Sequence, residues 1–163
     1  MEILFHKFNH RTPTISLDEA RRLHENGEPY VAVFENEGVH LKIWPALSEV
    51  AVNYVFPGRA KKPRLVYRFS KNSKLGFHLS EGARFSREEY RNVPIRKVTV
   101  FENKGLDWER IFQNSNIGES IREPVTINDE SLLQSRFPSF GSYMHLLSEH
   151  HPAIWNLMAD FQE

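Results

Sequence analysis

Apolar and polar positions change their period several times along this chain, and the changes mark out its elements. Residues 2–8 alternate weakly and read as a strand, and residues 9–15, which contain Pro13, read as a loop. Ser16 then offers a helix cap with Glu19 three residues on, the pattern of a capping box. Leu17, Ala20 and Leu23 keep helical spacing until Asn26-Gly27 ends the helix and Pro29 prevents its return.

The period then drops to two. YVAVFE is rich in β-branched and aromatic residues, and Val39, Leu41 and Ile43 alternate with His40, Lys42 and Trp44. Asn36-Glu37-Gly38 between them suits a hairpin turn with the glycine at positive φ. Further strands are expected over 49–56, 64–70, 76–80 and 97–102, with Asn72-Ser73-Lys74 as a turn. On 64–70, Leu65, Tyr67 and Phe69 share one face, and Arg64, Val66, Arg68 and Ser70 the other. Ser86-Arg87-Glu88-Glu89 repeats the capping box and predicts a short helix before Pro94.

One short string occurs twice, VFENEG at 33–38 and VFENKG at 100–105. Both follow a cap-and-helix pattern, SLDEARR and SREEYRN, which fits either an old helix–strand–turn duplication or a turn used twice. After the second copy, Asp107 as a cap and Leu106, Trp108, Arg110, Ile111 and Phe112 at helical spacing predict a helix. Helices are also expected over 129–136, 140–150 and 153–161, interrupted by Pro138, Gly141 and Pro152. The fold class expected is α+β. One domain over 1–163 would hold an antiparallel or mixed sheet of five to seven strands, with helices on one face and a helical C-terminal third.

Composition narrows the chemistry. There is no cysteine, which excludes disulfides, thiolate nucleophiles and cysteine-ligated metals. No apolar run approaches membrane-spanning length and the N-terminus is unlike a signal peptide, so a cytoplasmic protein with no membrane partner is expected. No phosphate loop, dinucleotide fingerprint or nucleophile elbow is present, and neither a cofactor nor a metal is expected. The Ser-x-Ser strand and late Glu-x-Glu that an arginine-type ADP-ribosyltransferase needs are missing in the required order. Among eight histidines, His6 with His10 and His145 with Glu149 have i, i+4 spacing. His145, Glu149 and His150 are the candidates if the protein is a small hydrolase or transferase. His40 and His78 fall opposite the apolar positions of their strands and are expected at the surface.

Charge is the most informative feature. The net charge is zero, yet residues 59–97 carry twelve Lys/Arg against three acids, while both flanks are acidic. Such a block creates a local field even in a neutral molecule. A nucleic-acid surface is one reading, with Tyr67 and Phe69 as stacking platforms. Alternation, however, turns those two rings to the core, and the pI near 7.1 is low for a nucleic-acid binder. A protein partner is the better fit.

In size, cysteine content and lack of catalytic signatures, the chain resembles bacterial toxin-immunity proteins in general profile, with no shared motif. That resemblance implies an inhibitor that blocks the active site of a cognate toxin domain. Its neutral net charge and basic middle argue against a nuclease as the target. Contacts are expected from Trp44, Arg59, Lys61, Lys62, Arg64 and Arg68.

Overall fold

The computed structural model describes residues 2–55, 63–85, 94–100, 107–114, 119–126 and 130–159. Ten strands form one sheet in the order β10-β9-β8-β7-β6-β5-β4-β3-β1-β2. They are β1 (Leu4–His6), β2 (Thr14–Ile15), β3 (Tyr30–Phe34), β4 (Val39–Trp44), β5 (Glu49–Val55), β6 (Pro63–Asn72), β7 (Gly76–Phe85), β8 (Pro94–Val100), β9 (Asp107–Asn114) and β10 (Glu119–Thr126). Every pairing is antiparallel, and from β3 to β10 each strand lies beside its successor in sequence. A meander of this kind needs only short connections.

This architecture corrects the α+β expectation. The sheet has ten strands rather than five to seven, and the described residues contain two α-helices, α1 (Leu17–Glu25) and α2 (Pro152–Ala159). The C-terminal third is not helical. Where helices are expected over 129–136 and 140–150, the chain makes only short 3-10 turns, at Glu130–Leu132, Met144–Leu146 and Ser148–His150. Asp107–Asn114 is a strand, not a helix, held between β8 and β10. Its spacing suits either state, and Trp, Ile and Phe favour a strand once neighbours supply the ladder. The helix expected at 86–93 lies outside the described residues.

Local signals act as the sequence implies around α1. Ser16 Oγ accepts the Glu19 N–H at 3.1 Å, while the Glu19 carboxylate turns to Arg22 at 2.7 Å. At the far end, Glu28 N–H donates to the Leu23 carbonyl and Gly27 N–H to that of His24, a Schellman closure. Gly27 has φ +75, and a Cβ there would lie 3.3 Å from that of Ala46. Gly38, at φ 62, closes the 3-10 turn Glu35–Glu37 between β3 and β4.

One face of the sheet carries the core. Phe5, Ala32, Leu41, Val52 and Tyr67 lie in one cross-strand row. Phe34, Val39, Tyr54 and Leu65 form the next. Ala20 and Leu23 of α1, Ile154 of α2, and Leu133, Tyr143, Leu146 and Leu147 from the chain between β10 and α2 pack against these rows. β7 is split by a bulge at Ser80, where Arg68 pairs with Glu81 and Phe69 with Leu79. Beyond the bulge β7 pairs with β8, while its first half pairs instead with residues 133–135 through Leu79 N–H to Leu133 O and Ser135 N–H to Phe77 O.

Candidate functional site

Among the described residues, two places gather chemistry, one on each side of the sheet. On the covered side, tyrosine hydroxyls anchor the C-terminal segment. Tyr67 donates to the Leu146 carbonyl at 2.7 Å, and Tyr54 Oη accepts from both the amide and the hydroxyl of Ser148, at 3.0 and 2.9 Å. Tyr30 Oη lies 2.9 Å from Tyr143 Oη and 2.8 Å from His24 Nδ1. Burial lowers the proton affinity of His24, and a neutral ring can accept the Tyr30 proton. Burial also pushes the Tyr30, Tyr67 and Tyr143 hydroxyls above the ordinary phenol range. They remain protonated at physiological pH, so the network serves as a polar latch under the core rather than as an acid–base device.

Beyond this latch, Glu149, His150, His151, Pro152 and Trp155 line an open cavity of about 530 Å³. The 3-10 turn Ser148–His150 brings Glu149 and His150 to its wall, and α2 projects Trp155. His151 is 5% exposed, with its ring edge-on to Phe69 at 5.4 Å. Burial lowers its proton affinity, a backbone hydrogen bond to Gln134 opposes that shift, and nearby His145 adds to it. Among the described residues, the buried His151 Nδ1 has no hydrogen-bond partner.

His145 does not join Glu149 and His150 as its sequence spacing suggests. Without a helix there is no shared helical face, and its Nε2 donates to the Arg136 carbonyl at 2.9 Å. Burial lowers its proton affinity as well. His151, which the sequence reading passed over, is the buried member of this site. A His-His-Pro run at a helix start is the only signal that could have marked it.

On the other side of the sheet, Lys42, Ala51 and Arg68 stand in one row across β4, β5 and β6. Lys42 Nζ lies 5.1 Å from the centre of the Trp44 ring, and Arg68 Nε lies 3.6 Å from Glu81 on β7. Trp44 is half-buried on this outer face and belongs to no core cluster. Trp44 pairs with Glu49, two residues from Ala51. Trp44 and Arg68 are therefore about 10 Å apart across the strands and about 7 Å along them. Of the other residues expected to touch a partner, Arg59, Lys61 and Lys62 lie outside the described residues, and Arg64 is a backbone member of β6 whose side chain is not among those described. Tyr67 and Phe69 are wholly buried, so neither is available to stack on a base.

The remaining histidines are structural. His6 donates from Nδ1 to the Thr12 carbonyl at 2.7 Å, and His10 packs on His40 with ring centres 4.6 Å apart. These contacts fold the loop after β1 over the outer face, where Val31 and Val33 are buried. His78 is not at the surface: it is 0% exposed, because residues 133–135 pair along its strand. Among the described residues, no three of His, Cys, Asp and Glu come together to hold a metal ion. Among the same residues, no helix is long and apolar enough to cross a membrane. Comparison with known proteins leaves the residues to speak for themselves: the chain matches no family model, no curated protein and no solved structure.

Proposed function

We propose that this chain is a protein-binding inhibitor that docks an acidic surface of its partner on the outer face of β4–β6. The observation that carries the reading is the row Lys42–Ala51–Arg68 beside Trp44. Two long cations flank a small residue, and an aromatic ring lies next to them, while the opposite face of the same strands is closed by the core. Arg and Trp are the residue types that most often dominate interface energetics. Their separation fits easily within a partner footprint of about 800 Å².

Of these strands only β6 comes from the basic segment, so it is the cations Lys42 and Arg68 themselves, both at least partly exposed, that favour an acidic partner and faster encounter at low salt. Blocking of an enzyme's active site, as toxin-immunity proteins do, is the action such a rigid face supports. Burial of Tyr67 and Phe69 weighs against nucleic acid, because it leaves the cations without stacking partners on their own strand.

The test compares the wild type with Lys42→Glu/Arg68→Glu as bait at low and high salt, after checking that both melt at similar temperatures. One acidic protein recovered near one-to-one by the wild type and lost by the double variant supports the proposal. A partner that the variant retains at low salt, or recovery of nucleic acid alone, overturns it.

A further inference from the structure

We infer that the loop of residues 7–13 is an acid-released strap across the outer face of β3, fastened by the ring pair His10–His40. The strap belongs to the chain alone; what its release does for a partner rests on the docking reading above.

Sheet order supplies the geometry. The loop leaves β1 after His6 and returns at Thr14 of β2. His40 is on the outer face of β4, opposite the core residues Val39 and Leu41, and β3 runs between β4 and β1. To place its ring 4.6 Å from that of His40, His10 must pass over β3. Val31 and Val33 lie there, paired with His6 and Leu4 on one side and with Lys42 and His40 on the other. They are 4% and 6% exposed, yet neither belongs to the core cluster of the covered face. The strap therefore lies over an apolar strip that adjoins Lys42.

Bonds within the loop give it a fixed shape. Thr12 N–H and Oγ1 both donate to the Asn9 carbonyl, at 3.1 and 2.7 Å, and Arg11 N–H donates to Asn9 Oδ1 at 2.8 Å. His6 Nδ1 ties the Thr12 carbonyl to the end of β1 at 2.7 Å. These bonds join the loop to itself and to β1, whereas the ring pair joins it to β4. When the pair parts, the loop can swing from β1 as one piece.

Imidazole is the side chain whose ordinary titration falls in the physiological range. Two rings this close titrate as a coupled pair, in two steps. The first proton leaves one ring neutral. The second sets like charges side by side in a half-buried place, where their repulsion is poorly screened. Nearby cations add to it: Lys7 and Arg11 are in the loop, Lys42 is two residues from His40 on β4, and His6 stands at the base of the loop. Beside His40, β3 and β5 place Val33 and Asn53, neither of them charged. Glu35 and Glu37, in the turn before β4, are exposed to water. With the loop open, the two rings are apart and each takes its proton readily. The open form binds more protons than the closed one, so falling pH favours opening. Val31 is in line with Lys42, Ala51 and Arg68, and opening would give that basic row an apolar border.

The experiment is NMR of the isotopically labelled intact chain between about pH 7.5 and about pH 5. At the upper end, cross-relaxation between the His10 and His40 rings is expected, with order parameters of about 0.85 over residues 8–12. At the lower end the ring contact should be lost and the order parameters should fall below about 0.6, while the amides of β4–β6 keep their native shifts. His10→Phe and His40→Phe keep a ring in the stack and take no charge, so each should hold the strap closed in acid. Three results would overturn the inference: a ring contact that survives to about pH 5, acid loosening undiminished in either phenylalanine variant, or loosening that comes only with collapse of the β4–β6 shifts. No partner enters the measurement, so failure of the docking face in its own test leaves the strap standing, and failure of the strap leaves the docking face.

Discussion

Leu41 and Lys42 are neighbours on β4, yet they belong to different environments. Leu41 is wholly buried under the C-terminal segment, and Lys42 lies over Trp44 on the outer face. The same contrast runs across the central strands. On the covered face, a row of large side chains meets residues 133–154, and every tyrosine hydroxyl in the latch has a partner. On the outer face, charged groups pair with each other at the surface, as Arg68 does with Glu81 at 3.6 Å. The covered face holds the main core, while Lys42, Trp44 and Arg68 on the outer face stay at least partly exposed. Stability and recognition should therefore separate cleanly between them.

The largest effect should come from the covered face. Leu41→Ala should cost about 2–5 kcal/mol in urea unfolding, because it removes buried methyl groups and leaves a cavity. A cost below about 1 kcal/mol would mean that the segment over the sheet is loosely packed.

Tyr67→Phe is a finer probe of the latch. It strands the buried Leu146 carbonyl and should cost about 1–3 kcal/mol, with faster amide exchange in 143–148. If exchange there were unchanged, the hydroxyl would not be what fastens the segment.

Acid should act on the covered face too. Burial depresses the proton affinity of His24, His145 and His151, all of which lie on or against that segment. As pH falls below about 6.5, the unfolded chain takes up protons before the folded one does. The stability these neutral rings contribute is complete above that pH and is lost as pH falls towards their folded values. Urea midpoints measured from pH 8 to pH 5 should show this decline, and His151→Phe should flatten part of it. A level profile would contradict burial of these rings.

Ser16→Ala, which removes the cap of α1, should cost about 1 kcal/mol. Smallest of all, Arg68→Ala should change stability by less than about 1 kcal/mol, since its ion pair with Glu81 is exposed and screened. Partner binding, by contrast, should respond to Arg68 and not to Ser16.

Much of the sheet was legible because alternation acts locally. The apolar set Val39, Leu41 and Ile43, the rings Tyr67 and Phe69, the Schellman end at Gly27 and the hairpin glycine at 38 all lie where spacing places them. The first VFEN string ends β3 and leads into β4. The second begins at Val100, the last residue of β8, and the next described element is again a strand, so the expected contrast between strand and helix does not hold. Its turn lies outside the described residues.

The C-terminal candidates misled for a related reason. An i, i+4 spacing has meaning only on a helix, and the segment carrying His145 and Glu149 spends its length crossing the sheet instead.

By itself, then, the sequence determined the apolar faces of the central strands, the cap and end of α1, the Gly38 turn, and the concentration of positive charge in the middle of the chain. Those properties depend on side chains within a few residues of one another. Only the tertiary structure decided that Asp107–Asn114 would be a strand, that His78 would be buried, and that Glu149, His151 and Trp155 would share a cavity. Each of these follows from a ladder or a packed surface supplied by a distant part of the chain, and a local pattern cannot specify which distant part arrives.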